Sequence, residues 1–320
     1  MARPSGNRRR YSSRNVSHVH SLENLSLQNA WLTIGVFDGV HRGHQEIIRQ
    51  LKAGAHANHA PAVVLTFSPH PAVVLGGKTG FKCLTTPKER AALLESLGVD
   101  LVITHLFDRD LAAQTAETFM RRVALTLGLR HLIVGYDFAL GRGREGNVTR
   151  LTRLGKTLGY EVQTIPPVTN GGMTVSSTRI RQQIAAGEVE AAAAGLGRNY
   201  ILTGPVILGD GRGKLINIPT ANIAYPAEKL IPANGIYATW AWLGDKRYAS
   251  ATNIGINPTF TPDKTTPNVE THLLDFSRDL YGQELRLEFV KWLREERKFP
   301  SVEVLVEQIQ ADIVQAREIL

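Results

Sequence analysis

The sequence predicts a doubly wound α/β domain with a parallel sheet, followed by an antiparallel β domain that closes with a helix. Three observations carry this. Apolar strand-like runs alternate with helical stretches up to about residue 165. From residue 200 short β-rich runs succeed one another without helices between them, and the final stretch repeats apolar positions at helical spacing. At about 150 residues per domain, the 320 residues make two domains the default.

In the first part, runs at 31–37, 62–67, 101–105, 131–136 and 160–165 read as buried strands. Between them, 44–57, 88–97, 115–128 and 147–159 read as helices. Continuous apolar strands alternating with helices imply a sheet covered on both faces, with ligands beyond the carboxyl ends of its strands. Ala191 to Ala194, followed by Gly195 and Gly197, suggest a short helix and an exit within a linker at 187–198. The runs 200–208, 234–243, 247–255, 268–276 and 284–292, separated by Gly, Pro, Asn and Asp, indicate an antiparallel barrel or sandwich. Pro300-Ser301 supplies a stop and an N-cap. Val302, Leu305, Val306, Ile309 and Ile313 then form one helical face, expected to pack on that β domain.

The only cysteine is Cys83, which excludes an internal disulfide and fits a reducing compartment. No apolar run reaches the ~20 residues of a membrane span, and the N-terminus shows no secretory apolar segment. A cytoplasmic location and no membrane partner are the expectations. Residues 1–17 form a basic tail with Arg3, Arg8, Arg9, Arg10 and Arg14, read as solvated and disordered in preference to an organellar address. Without those five arginines, 32 basic residues face 29 acidic ones and the net charge falls from +8 to +3. The body of the chain therefore lacks a nucleic-acid footprint. Oligomeric state is not encoded in any of these features.

The first chemical motif is Phe37-Asp38-Gly39-Val40-His41-Arg42-Gly43-His44. A strand ends at Phe37, Asp38-Gly39 turn, and a helix is expected to begin near His44 or Gln45. Such a turn presents backbone N–H groups at a helix N-terminus, which favours anions. His41 and His44 share one side of the turn, and Gly43 permits close approach of a ligand. Two imidazoles there can donate to phosphate oxygens during attack at an α-phosphorus, with pyrophosphate leaving. Strand 62–67 runs into Ser68-Pro69-His70-Pro71, and strand 131–136 into Asp137-Phe138 and Gly141-Arg142-Gly143-Arg144. Ser176, Ser177 and Thr178 open a helix carrying Arg181, a combination suited to phosphate.

The second half has its own apparatus. Gly209-Asp210-Gly211-Arg212-Gly213-Lys214 is a basic glycine-rich loop, equally readable as a hairpin; it lacks the Gly-Lys-Ser/Thr ending of a P-loop. In Pro219-Thr220-Ala221-Asn222, residues 220 and 222 share a face if the segment is extended, and their side-chain oxygens suit Mg²⁺ carrying ATP phosphates. Glu270, in a β-like run, is a candidate base for a substrate hydroxyl, although a lone strand glutamate is more often ordinary surface.

Together these motifs resemble the bacterial bifunctional riboflavin kinase/FAD synthetase family, over residues 18 to 320. The first set, completed by Thr66-Phe67-Ser68-Pro69-His70-Pro71 and Val134-Gly135-Tyr136-Asp137-Phe138, is similar to FMN adenylyltransferases of the HxGH nucleotidyltransferase superfamily. The second is similar to riboflavin kinases, through Gly204-Pro205-Val206, Gly209 to Lys214, Pro219 to Asn222, Asn253-Ile254-Gly255, Glu270, Asp279-Leu280-Tyr281-Gly282 and Arg294 to Phe299.

The resemblance implies an adenylyltransferase domain at 18–186 and a kinase domain at 199–320, the latter a six-stranded antiparallel barrel with a C-terminal helix. It implies riboflavin, FMN and ATP as substrates, with Mg²⁺. His41 and His44 would assist adenylyl transfer. Gly35, Phe37, Asp38, Gly39, Gly43, Ser176, Ser177, Thr178 and Arg181 would bind ATP there, with Pro69, Asp137 and Phe138 on the flavin or nucleotide side. Gly209, Gly211, Gly213, Lys214, Thr220 and Asn222 would bind ATP in the kinase, Thr220 and Asn222 through the metal. Arg294 would contact flavin, and Glu270 would be the base.

Ala139, Thr174 and Lys214 stand where the family commonly has arginine, and Asn217 where it has glycine. Those departures and the basic tail motivate a second reading, a flavin- or RNA-binding regulator with degenerate sites. A class I aminoacyl-tRNA synthetase relative is a third, disfavoured by the short chain and the kinase-like half.

Overall fold

The computed structural model describes residues 17–76, 80–209, 213, 216–255 and 267–320. Its internal packing divides the chain into two compact units, Met1–Val175 and Ser176–Leu320.

The first unit contains strands β1 (Ser17–Val19), β2 (Trp31–Ile34), β3 (Ala62–Ser68), β4 (Leu101–Leu106) and β5 (His131–Gly135). A small pair, β6 (Ala139–Leu140) with β7 (Gly146–Asn147), precedes β8 (Glu161–Ile165), and a ribbon of β9 (Thr169–Asn170) with β10 (Met173–Thr174) ends the unit. Its helices are α1 (Arg42–Ala57), α2 (Pro71–Gly76), α3 (Pro87–Ser96), α4 (Arg109–Ala113), α5 (Ala116–Leu127) and α6 (Val148–Leu158). The main sheet has six strands in the order β1-β4-β3-β2-β5-β8, all parallel.

Alternation along each strand feeds two cores. Leu32, Ile34, Val63, Leu65, Ile103 and Leu132 pack with Phe119, Met120 and Val123 of α5 and Leu151 of α6. Trp31, Val64, Val102 and Ile133 face the other way, onto Ile48 and Leu51 of α1 and Ala91 and Leu94 of α3. Each fully buried leucine or isoleucine contributes about 1.5–3 kcal/mol, so both faces must be covered for the sheet to persist. From β2 the chain winds outward through β3 to β4, then crosses to the opposite side for β5 and β8. The winding direction therefore reverses between β2 and β5, and the crevice at their carboxyl ends is where a ligand fits.

Two local readings are corrected. Helix α1 starts at Arg42 with His41 as its N-cap, not at His44. Edge strand β1 begins at Ser17, the last residue of the expected tail; three residues are too few to show a period, and residues 1–16 lie outside the described residues.

The second unit opens with α7 (Ser177–Ala185) and α8 (Val189–Leu196). The span expected as a linker is thus largely helical, with Val189, Ala192 and Leu196 buried. Then come β11 (Tyr200–Ile207), β12 (Ala221–Ile223), β13 (Gly235–Leu243), β14 (Lys246–Gly255), β15 (Asn268–Leu273), β16 (Glu284–Arg294) and α9 (Val302–Ile319). The strands close into an antiparallel barrel, β11-β12-β15-β14-β13-β16, which decides between barrel and sandwich. The strand absent from the sequence reading is β12, whose three residues follow Pro219-Thr220.

Leu202, Val206, Tyr237, Leu285, Leu287 and Phe289 are buried in this unit. Among them runs a chain of buried hydroxyls. Thr239 Oγ1 lies 2.7 Å from Ser250 Oγ and 2.6 Å from Thr252 Oγ1, and Thr252 donates to Thr271 Oγ1 at 2.9 Å. These groups tie β13, β14 and β15 in one register, since a slip would break the chain of bonds and turn the slipped strand's hydroxyls out of the core.

Helix α9 is capped as expected, Ser301 Oγ accepting from the Val304 N–H at 3.5 Å. Its packed stripe differs from the expected one. Val302 is 56% exposed, whereas Asp312 and Ala316 are buried. A pattern of apolar residues excludes an aspartate, but Asp312 is held by Arg294, whose Nε and Nη2 donate to its carboxylate at 2.8 and 2.6 Å, and by Gln308.

Thr252→Val should take the partner from the buried Thr271 hydroxyl at nearly constant volume, while Thr239 keeps its bond to Ser250. The expected cost is about 1–3 kcal/mol, read as a lowered midpoint of the barrel transition in calorimetry. An unchanged midpoint would deny the chain a part in stability.

Candidate active sites

The loop between β2 and α1 is built under strain. Phe37 and Val40 both have positive φ, 52° and 42°. For a β-branched residue this is a costly conformation, on the order of 1–3 kcal/mol. What holds it is a set of buried hydrogen bonds. Asp38, 1% exposed, accepts from the Leu84 N–H at 3.1 Å, the Thr85 N–H at 3.0 Å and the Thr85 hydroxyl at 3.2 Å. Thr85 Oγ1 in turn accepts from the Gly39 N–H at 3.0 Å. The Val40 carbonyl accepts from Gln45 Nε2 at 2.8 Å. Buried Arg90 donates to the carbonyls of Val36 and Phe67, both at 2.9 Å, joining the chain after β2 to the end of β3. Burial pushes the Arg90 guanidinium below the ordinary arginine range, opposed by the Asp38 carboxylate and by Cys83.

The loop delivers two histidines. His41, 7% exposed, caps α1, and its Nδ1 accepts from the His44 N–H at 3.4 Å. An accepting Nδ1 leaves the hydrogen of a neutral ring on Nε2, the donor that ring carries. The two rings stack with centroids 3.6 Å apart and planes at 17°. Phe37 meets His44 edge-on at 5.1 Å. A Cβ at Gly43 would lie 3.1 Å from the His41 ring, so the glycine makes room for the histidine as well as for a ligand. The first two amides of α1, on Arg42 and Gly43, make no hydrogen bond among the described residues. Amides at a helix N-terminus favour an anion.

Several expected ATP ligands are instead scaffold. The Asp38 carboxylate is committed to Leu84 and Thr85, Phe37 is buried, the Gly39 amide goes to Thr85, and the Gly35 amide donates to the Leu65 carbonyl at 3.0 Å. Exposed Pro69 follows β3, and exposed Asp137 follows β5. The order β3-β2-β5 therefore gathers Pro69, the histidine loop and Asp137 along the carboxyl-end edge of the central strands. Phe138 packs partly against the core behind that edge. Ala139 lies in the small β6 pair, and Thr174 is exposed in β10. Ser176 caps α7, its hydroxyl accepting from the Arg179 N–H at 3.3 Å. With Ser177, Thr178 and Arg181, it falls in the second compact unit.

In the barrel, Asn222 on β12 stands opposite Glu270 on β15, and Glu270 opposite Asn253 on β14. Their strand neighbours Ala221, Ile223, Val269, Thr271, Thr252 and Ile254 are buried, so the three polar residues form a row on the outer face. Thr220 is exposed immediately before β12. A Cβ at Gly209 would collide with the Asn222 amide, and one at Gly213 with the Ile218 carbonyl. Gly213 O also accepts from the Ile218 N–H at 2.8 Å, which brings the glycine loop back towards Thr220. Gly211 and Lys214 lie outside the described residues. Asn217 has φ 56°, a left-handed conformation that asparagine adopts more readily than most residues, so its replacement of glycine is accommodated.

Arg294 corrects another expectation. Its Nε and Nη2 bind Asp312, and its Nη1 donates to the Glu295 carbonyl at 2.9 Å. The guanidinium anchors α9 and is not presented to a ligand. The sequence reading also missed Thr85, Arg90 and Gln45. For Thr85 and Arg90 nothing local signals a bond to residues more than forty positions away; the only sign is the capping box of Thr86 and Glu89 that begins α3.

The profile of a family described as FAD synthetase matches residues 23–179, and that of riboflavin kinase matches residues 196–320. The bifunctional riboflavin kinase/FMN adenylyltransferase of Listeria monocytogenes is 35% identical over 89% of this chain and 90% of its own length. The protein of that name from Escherichia coli is 34% identical over 95% of this chain and 96% of its own. A crystal structure titled macrolide-efflux protein from Streptococcus pneumoniae is 29% identical, with a TM-score of 0.86 over 94% of this chain and 98% of that one. Among the described residues no helix is long and apolar enough to cross a membrane.

Asp38→Ala should cost the first unit roughly 2–4 kcal/mol, because three donors lose a charged acceptor. Asp38→Asn, which keeps one carbonyl oxygen, should cost less. Urea unfolding of the two variants checks the order, and equal stability of Asp38→Ala and wild type would refute the clamp.

Proposed function

The chain belongs to the bifunctional riboflavin kinase/FMN adenylyltransferase family, and we propose that the His41–His44 loop and the Thr220–Asn222–Glu270 group carry its two reactions. The C-terminal domain phosphorylates riboflavin to FMN, and the N-terminal domain adenylylates FMN to FAD. The observation that supports the residue assignment is the presence, in one chain, of two separate groups suited to phosphate, the His41–His44 loop in the first unit and the Asn222–Glu270 row in the second.

In the kinase, Glu270 takes the proton of riboflavin's terminal ribityl hydroxyl as that oxygen attacks the γ-phosphorus of ATP, and ADP leaves. The support is the cross-strand placement of Glu270 beside Asn222. The Thr220 hydroxyl and Asn222 carbonyl are hard oxygen donors and fit Mg²⁺ bound largely by phosphates and water. The ion, when bound with ATP, neutralises phosphate charge. Gly209 and Gly213 allow the backbone close to those phosphates, with Gly211 and Lys214 assigned to the same loop from sequence.

In the adenylyltransferase, a phosphate oxygen of FMN attacks the α-phosphorus of ATP and pyrophosphate leaves. His41 Nε2–H and the His44 ring donate to oxygens that gain charge, and the amides of Arg42 and Gly43 add fixed dipoles. For Ser176, Ser177, Thr178 and Arg181 the support is local: hydroxyls at a helix N-terminus with an arginine one turn on suit triphosphate oxygens. Pro69 and Asp137 are assigned to the flavin or nucleotide side. Magnesium dependence and a cytoplasmic site of action complete the proposal.

Incubation with riboflavin, ATP and Mg²⁺, with the flavins resolved by chromatography, tests the whole reading; wild type should yield FMN and then FAD. His41→Ala combined with His44→Ala should stop at FMN, adenylylation falling at least ~10²-fold. Glu270→Gln should lower riboflavin phosphorylation by about 10²–10⁴-fold yet still convert supplied FMN to FAD. Loss of both reactions in either variant would contradict two separable sites.

A further inference from the structure

We infer that His272 is a positioning residue of the kinase half: it holds the Pro219 carbonyl and thereby fixes Thr220 beside Asn222 and Glu270. The inference rests on the kinase reading above and adds to it a residue with no assigned role. His272 Nδ1 lies 2.7 Å from Pro219 O. A carbonyl only accepts, so Nδ1 carries the hydrogen and donates, whether the ring is neutral or charged.

The local chain needs such a tether. Strand β12 begins at Ala221, paired with Thr271, and continues with Asn222, paired with Glu270. Backbone pairing stops there. Pro219 has no N–H with which to extend the ladder, and neither it nor Thr220 has a backbone hydrogen bond to β15 among the described residues. Exposed Thr220 therefore has no ladder bond of its own to fix it against β15. The imidazole replaces the missing ladder bond. His272 is two residues beyond Glu270 and so on the same face of β15. Its cross-strand neighbour on β14 is Ala251, whose methyl side chain offers the ring no competing polar partner. One strand thus carries the proposed base and, two residues on, the group that steadies the proposed metal and phosphate ligand.

His272→Phe keeps a ring and deletes the donor; His272→Gln keeps an N–H donor. Riboflavin phosphorylation is measured at saturating riboflavin with varied Mg–ATP, and adenylylation of supplied FMN is followed in the same preparations. His272→Phe should raise the KM for Mg–ATP about tenfold, the worth of one hydrogen bond, with kcat within about twofold and FMN adenylylation unaltered. His272→Gln should recover most of that loss. If His272 acts through Thr220, adding His272→Phe to Thr220→Ala should raise KM no further than Thr220→Ala alone.

A wild-type KM in His272→Phe, or full multiplication of the two effects in the double variant, overturns the inference. So does a fall in melting temperature and in both activities together, the mark of a merely structural residue; His272→Gln then shows whether the donor matters in a folded chain. If Thr220→Ala itself leaves the KM for Mg–ATP unchanged, the kinase assignment fails with it. Loss of the KM effect in His272→Phe alone leaves that assignment standing.

Discussion

The buried carboxylate of Asp38 is the interaction on which the first site depends. A loop that places Phe37 and Val40 at positive φ does not hold itself. Asp38 supplies what the loop lacks, by accepting three hydrogen bonds from Leu84 and Thr85, and Thr85 returns one to the Gly39 amide. In a water-poor interior each of these bonds is costly to lose, so together they offset the strain. The result is a helix that begins at the right residue. With His41 as N-cap, its ring is oriented by the helix amide it accepts from, and two further amides stay available.

The barrel solves a related problem by a different route. A strand has a period of two, so a row of polar residues can face outward while the alternate residues remain in the core. Asn222, Glu270 and Asn253 occupy such a row, with buried Thr271 and Thr252 between them. The inner hydroxyl chain and the outer polar row are therefore two consequences of one register. Gly209 lies hard against Asn222, so the protein's own packing requires a glycine there.

Both candidate sites share a division of labour between the groups assigned to a substrate and the groups that hold them. Asp38, Thr85, Arg90 and Gln45 do the holding in the first unit; His272 does it in the second, by a single bond to Pro219. Arg294 belongs with them. Its bond to Asp312 joins the last strand of the barrel to the C-terminal helix and lets a charged residue sit in an otherwise apolar stripe. Such pairs are strongly destabilising to break, which ties the guanidinium to its partner.

The sequence alone determined the layer order, because burial imposes periods that survive in the chain: five of the six parallel strands, the four longer helices between them, and five barrel strands were legible at 200–292. It also offered His41, His44, Thr220, Asn222 and Glu270 as candidates, since polar residue types at strand ends and on one strand face are local features. It did not mark the short strands β1 and β12, which are too brief to show a period. Nor did it separate ligand from scaffold. Asp38, Phe37 and Arg294 have the right chemistry for a substrate, yet their partners are Leu84 with Thr85, His44, and Asp312, distant in sequence for the first and last. Only tertiary structure decides whether a polar group is already satisfied, because hydrogen bonds between remote segments leave no periodic trace in the chain.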